Sequence, residues 1–466
     1  MPEMAPKEGT LEMAAKPYTF GCALAAALAL AAATLVAAAP PANAVGARPV
    51  TDFHSPGLDH EYPRDLTRVG QRLFFEVDDG IHGGELWRTN GTRRGTRLVR
   101  NIGRGDESSD PDDLTNVNGT LFFTAKIRDG AETLWRSDGT RAGTRLVPGL
   151  SGQLRQLTAA GGTLFFVFDD GTHGRELWRS DGTEAGTGLV SDIRPGTKGS
   201  APGGLTYVGG TLFFAADDGT HGEELWRSDG TEAGSSLVRE INPGDSFLDG
   251  LTNIAGTLFF NAYDGAQFGL WRSDGTPEGT TPVLPFAADE ITDVEGTLFF
   301  RAYDSVHGSE LWRSDGTEAG TSLVRDINPG TKDSAPFELT KVGGLILFTA
   351  HENIHGEELW RSDGTESGTR LVRDIKRPGS GTARFHENQL TAAGGTLFFE
   401  AGGDGHGREL WRSDGTRAGT RLVRDIAPGR ESSRPDWITS VGRSVFFVPY
   451  IDSPLRGHAE LWKTGP

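Results

Sequence analysis

The chain has 466 residues, of which 36% are apolar, 9% aromatic and 24% charged, with 66 glycines and 24 prolines; this excludes a disordered or collagen-like chain and describes a turn-rich globular one. Sixty-four acidic against 46 basic residues give a net charge of −18, which repels nucleic-acid backbones and anionic lipid surfaces. Neither is an expected partner.

Residues 1–44 read as a signal peptide. Phe20 to Ala39 is uncharged and dominated by Ala and Leu, Lys16 precedes it, and Pro40-Pro41 ends it. Ala42-Asn43-Ala44 supplies the small residues a signal peptidase needs, so cleavage is expected after Ala44. The alternative is an uncleaved anchor, because about 18 to 20 apolar residues can span a bilayer. Glu3, Glu8 and Glu12 are unusual in a leader and point to translation starting at Met13. Cys22, the single cysteine, precedes the apolar run, which argues against a lipidated cysteine. The mature chain, 45–466, then has no disulfide and no thiolate metal site.

From residue 49 onward one unit recurs nine times. Its marker is Trp87, Trp135, Trp178, Trp226, Trp271, Trp312, Trp360, Trp411 and Trp462, spaced 41 to 51 residues apart. The cleanest copy, Leu205 to Gly244, runs LTxV, a Gly-Gly turn, TLFFAA, DDGTHG, EELWRSDGTEAG, SLVREI and Asn-Pro-Gly. Four short apolar segments between Gly, Asp and Thr clusters predict four strands. Thr211 to Ala216 is apolar at successive positions, so both its faces are expected to be buried. In the next segment Glu224, Trp226 and Ser228 share a face, which lets the indole fill the gap between adjacent sheets. Asp229-Gly230 predicts the hairpin after it.

Four strands in about 45 residues is one propeller blade. The expected fold is therefore all-β, a propeller of nine four-stranded antiparallel blades forming one domain over 45–466. The alternative is eight blades with one displaced copy. Pro49 to Phe53 matches fourth-strand segments such as Leu323 to Ile327, whereas the last copy stops after a third strand at Trp462 to Pro466. Pairing of this N-terminal segment beside Glu460 to Lys463 closes the ring and removes two exposed edges.

Glu176 to Thr183 and Glu409 to Thr416 spell Glu-Leu-Trp-Arg-Ser-Asp-Gly-Thr. On these motifs the chain resembles the bacterial ELWxxDGT repeat family over nearly all of residues 49–466. Copies at Thr133-Leu134-Trp135, Gly269-Leu270-Trp271 and Thr89-Asn90-Gly91 depart from the pattern. The resemblance implies export and a propeller-like fold, and brings no ligand or catalytic residue with it. A looser likeness to kelch repeats rests on Gly209-Gly210 followed by Trp226, and implies protein binding. Similar layouts occur in quinone-dependent dehydrogenases, whose metal and quinone residues are not recognisable here.

His82, His173, His221, His307, His355 and His406 form a repeated set suited to metal binding or pH sensing. Equivalent positions on different blades lie too far apart for one ion with bonds near ~2 Å, so a turn-forming role is expected. The Asp-Gly turns lack the dense carboxylate spacing of a calcium loop, and no cofactor is expected. Arg104-Gly105-Asp106 matches an adhesion tripeptide by chance, since it occupies the turn held by Asn328 to Gly330 in another copy. No nucleophile elbow, zinc-binding helix or phosphate loop is found, so no catalytic residue and no metal site are assigned. The most individual segment is Lys376 to Gln389, whose Arg377, Arg384, Phe385 and His386 are the candidate ligand-binding residues.

These features point to a secreted or envelope-located, non-enzymatic binding or adhesion scaffold whose loops hold an extracellular protein or polysaccharide. The alternatives are a polysaccharide-acting enzyme with its site at the central channel, or a structural envelope or matrix protein. Non-repeated carboxylates at the channel mouth would mark an enzyme; a flat aromatic or apolar patch would mark a binding surface.

Overall fold

Each copy of the repeat folds as one four-stranded antiparallel sheet with its strands in chain order, and there are nine of these sheets. The computed structural model describes residues 46–53, 62–127, 130–375, 390–403, 405–451 and 460–465. Blade 4 is typical, with strands Gly203–Val208, Thr211–Asp217, Glu223–Ser228 and Ser236–Arg239. Phe214 lies opposite Trp226, and Trp226 opposite Leu237.

The first strand of every blade packs against the first strand of the next, and the ninth against the first, so these strands line the channel of a closed ring. Blade 9 is composite. It comprises Pro435–Val441, Ser444–Pro449 and Glu460–Thr464, with Arg48–Asp52 as its fourth strand. Arg48 faces Lys463 and Pro49 faces Trp462. All nine copies are blades and none is displaced.

The double phenylalanine explains how blades cohere. Leu212 to Ala216 is buried at every position, because successive strand residues face opposite seams. Phe213 packs toward blade 5 with Leu258, Phe260 and Trp271, while Phe214 packs toward blade 3 with Phe165 and Leu177. At roughly 1.5 to 3 kcal/mol per buried large side chain, the eight residues of one such cluster dominate the seam.

Turns then dock on neighbouring blades. In the Asp229-Gly230 turn, Asp229 accepts hydrogen bonds from the Thr231 N–H and hydroxyl at 2.9 and 2.7 Å. Gly230 has φ +89°, and a Cβ there would stand 3.0 Å from the Phe165 ring of blade 3. Only glycine satisfies both conditions.

Candidate active site

The repeated polar residues are consumed by the scaffold. The Glu of six Glu-Leu-Trp copies, Glu85, Glu176, Glu224, Glu310, Glu358 and Glu409, is buried, and it organises the connection to the next blade. The Glu310 carboxylate accepts from the Ile327 and Asn328 backbone N–H groups at 3.0 and 3.2 Å and from the Ser334 hydroxyl at 2.6 Å. Glu85, Glu224 and Glu409 repeat the pattern. Burial pushes the Glu310 carboxyl up to about 6, against the pull of these donors.

The histidines close turns, as their spacing predicts. In His82, His173, His221 and His307, Nδ1 lies 2.8 Å from the Asp three residues earlier. His355 pairs with Glu352 and His406 with Asp425. Among the described residues no group of three or more His, Asp or Glu side chains is arranged to hold a metal ion.

Function is to be sought where the repeat is broken. A cavity of about 440 Å³ is lined by residues of blades 8, 9 and 1. Blade 8 supplies Glu400 and Arg408, blade 9 Arg434, Asp436, Trp437 and Tyr450, and blade 1 Tyr62 and Arg64. Glu400 occupies the strand position after the double phenylalanine, where most copies carry Thr124, Val167, Ala215, Asn261, Thr349 or Val448. It is 2% exposed, and the Arg408 guanidinium is 3.1 Å away. Burial outweighs that neighbour and pushes the Glu400 carboxyl up to about 7. Glu76, at the same position in blade 1, pairs with Arg64 at 2.7 Å.

A second departure lies beside it on the channel. Eight of the nine first strands carry a one-residue bulge whose residue has left-handed φ: Asp65, Asp113, Gln156, Gly204, Gly250, Glu290, Glu338 and Trp437. In blades 6 and 7 this residue staples a seam. Glu290 accepts from the Glu338 N–H and Glu338 from the Leu390 N–H, each at 2.8 Å. In blade 1 the same position meets a carboxyl instead, because Asp65 hydrogen-bonds Asp112 of blade 2. Two acids in contact share one proton. Burial first, then Asp112 and Asp113, push Asp65 up to about 7, while the bond from Asp65 holds Asp112 below its usual range.

The nine repeated tryptophans sit on third strands and fill the seams. The candidate ligand-binding residues Arg377, Arg384, Phe385 and His386 lie outside the described residues, as does the leader. Sequence reasoning passed over Glu400, Trp437 and Asp65. Each was visible as an exception in its own column of the aligned repeats.

No family model matches the chain, and neither does any curated protein. Among solved structures it is similar to a puromycin hydrolase S511A mutant complexed with PGG, at 15% identity and TM-score 0.41, over 86% of this chain and 62% of that one. It is also similar to a prolyl endopeptidase, at 10% identity and TM-score 0.44, over 84% and 55%. A third is the β-propeller domain of the Trilobed protease from Pyrococcus furiosus, at 10% identity and TM-score 0.36, over 69% and 98%. The chain spans about six-tenths of the length of the first two. The likeness is one of fold.

The expectation of a non-enzymatic binding or adhesion scaffold is corrected here. The similar structures are a puromycin hydrolase, a prolyl endopeptidase and the propeller domain of a protease, a likeness of fold alone. In the molecule itself, the non-repeated side chains on the channel face gather as acids opposite arginines, around a cavity rather than on a flat patch. The sequence reading missed this because it sought individuality in loop length, whereas the exceptions are single side chains inside regular strands.

Proposed function

We propose that the chain is a hydrolytic enzyme using general acid–base chemistry in the cavity between blades 8, 9 and 1, with Glu400 as the proton-transfer group. The observation that carries this is the placement of a buried carboxyl on the wall of an open cavity, beside arginines and without the backbone donors that hold the Glu-Leu-Trp glutamates. A carboxyl that titrates near neutrality is an efficient base and acid at pH 7.

In the expected step Glu400 takes a proton from water as the water oxygen bonds to the substrate's electrophilic carbon. The leaving group departs with that proton as its bond breaks. Arg64, Arg408 and Arg434 offset the negative charge that develops. The leader-like segment and the ELWxxDGT-type repeat support placing this chemistry outside the cytoplasm.

The test is a screen of chromogenic 4-nitrophenyl esters, anilides and glycosides. Turnover of at least one class, falling about a hundredfold or more in Glu400→Gln, with a rate that rises through pH 7, supports the reading. No turnover of any class, or turnover unchanged in Glu400→Gln, sinks it.

A further inference from the structure

We infer that the cavity between blades 8, 9 and 1 takes an uncharged saccharide, its ring face against Trp437 and Tyr450 and its hydroxyls on the ion pairs of the wall. The inference rests on the hydrolytic reading for its cavity and adds the substrate class.

Charge balance selects a neutral ligand. Arg64 is paired with buried Glu76 at 2.7 Å, Arg408 with Glu400 at 3.1 Å, and Arg434 is partnered too. With Glu76, Glu400 and Asp436 ionised, three carboxylates cancel three guanidinium groups. A charged ligand has to draw one member of a partly buried pair away from the other, which is costly. A wholly apolar ligand strips water from the pairs and returns no hydrogen bond. A hydroxyl both donates and accepts, so neighbouring sugar hydroxyls bond a carboxylate and its guanidinium partner together and leave the pair intact. Such bonds to ionised groups are stronger than those between neutral ones.

The ring face is selected by aromatic side chains placed where the fold does not need them. Nine tryptophans fill seams, but Trp437 is the tenth, 40% exposed on the cavity wall. It occupies the bulge with φ 53°, a conformation a bulky residue rarely adopts without compensation. Blades 4 and 5 have glycine at that place, Gly204 and Gly250. Tyr450 is 43% exposed, and its ring centroid lies 4.5 Å from that of Tyr62 at 47°. A pyranose presents C–H groups on one face and hydroxyls around its edge, so it covers an exposed aromatic ring while its edge reaches polar groups beside that ring. Rings and ion pairs share this one wall, and its volume, about 440 Å³, lies in the range of small-molecule sites.

The test is isothermal titration of the full chain at pH 8, where Glu400 is ionised, with the methyl glycosides of glucose, galactose and mannose. Each is paired with its 6-carboxylate, and N-acetylphenylalaninamide serves as a neutral ligand with a ring and amides but no hydroxyls. At least one neutral glycoside is expected to bind, about tenfold or more tighter than its 6-carboxylate and tighter than the amide. Trp437→Gly should weaken that glycoside about fivefold without lowering the melting temperature, because glycine takes the left-handed bulge freely. Glu400→Gln leaves Arg408 uncancelled, so the 6-carboxylate should gain on the neutral glycoside in that variant. Failure of all three glycosides to bind, a 6-carboxylate or the amide binding as tightly in the parent, an unchanged affinity in Trp437→Gly, or an unchanged ratio in Glu400→Gln overturns the inference. Glycoside binding without turnover of any chromogenic substrate removes the hydrolytic reading and leaves this one standing. Glu400-dependent turnover of esters or anilides with no glycoside binding removes this one alone.

Discussion

Two buried glutamates in this ring have opposite fates. Glu310 sits in a third strand, fully buried, and its carboxylate is surrounded by two backbone N–H groups and a serine hydroxyl. Glu400 sits in a second strand, equally buried, against a guanidinium and a cavity. The first acid is satisfied and holds a loop in place; the second keeps a carboxyl that can exchange its proton. Burial alone therefore does not mark an acid for chemistry. The identity of its hydrogen-bond donors does, and in a repeat protein those donors are supplied only to residues that recur.

The largest effect expected is on the scaffold side. A chain beginning at Gly57 lacks Arg48–Asp52, the fourth strand of blade 9, together with buried Ala47, Val50 and Phe53. The lost Val50 and Phe53 side chains at roughly 1.5 to 3 kcal/mol each, Ala47 at about 0.8 kcal/mol, and a newly exposed edge, predict melting several degrees below a chain beginning at Val45. Equal melting temperatures in calorimetry would remove the latch from the account.

Next comes the direct contrast of the two acids. Glu409→Ala strands the Ile426 and Ala427 N–H groups and the Ser433 hydroxyl in a buried site, at a cost of about 1 to 3 kcal/mol for each orphaned group. Glu400→Gln removes a costly buried charge and is expected to melt at or above the parent. If the two variants were equally destabilised, the distinction between satisfied and available acids would collapse.

The Asp65–Asp112 contact sharpens the comparison through pH. Asp65 has its folded pKa raised from 3.8 to about 7, so the folded state holds a proton that the unfolded state has released between those values. Its stabilising contribution is fully present below about pH 4 and is lost as pH rises toward 7. Glu400 and Glu310 slope the same way, so the readout is the difference between parent and Asp65→Asn. That difference should grow in favour of the asparagine chain from pH 4 to pH 7 and then level off. Parallel stability curves would show that the two carboxyls do not share a proton.

The periodic half of the molecule was legible from sequence for a physical reason. Nine copies repeat the same constraint, so Trp226, the Phe213-Phe214 pair and Asp229-Gly230 each state their role several times. The latch was legible because Pro49 to Phe53 supplies the strand that the last copy lacks. The cavity was not. Glu400 and Trp437 could be picked out as odd members of their columns, but nothing in the sequence brings Tyr62 to Tyr450, which lie at opposite ends of the chain and meet only because blade 9 closes on blade 1. Sites assembled across a closure seam are invisible to any reading that proceeds one repeat at a time.

The smallest effect tests whether the seams themselves follow one rule. In five seams a fourth-strand arginine reaches the next blade: Arg100, Arg239, Arg325 and Arg373 donate to the carbonyls of Thr144, Thr280, Thr369 and Thr420, and Arg424 to that of Ala47, at 2.5 to 2.7 Å. The same guanidinium groups lie 5.3 to 5.9 Å from the ring centroids of Trp135, Trp271, Trp360, Trp411 and Trp462. Blade 3 has Ser191 at this position, facing a blade whose Trp226 is half-buried. Ser191→Arg should add one charge-assisted hydrogen bond and one cation–π contact, together about 1 kcal/mol after the side chain's ordering entropy. Arg239→Met should lose a similar amount while keeping the apolar stem over Trp271. Chemical denaturation of the two variants should therefore move in opposite directions by comparable amounts. A destabilised Ser191→Arg chain would mean that the blade 3 to blade 4 seam is packed differently from the other five.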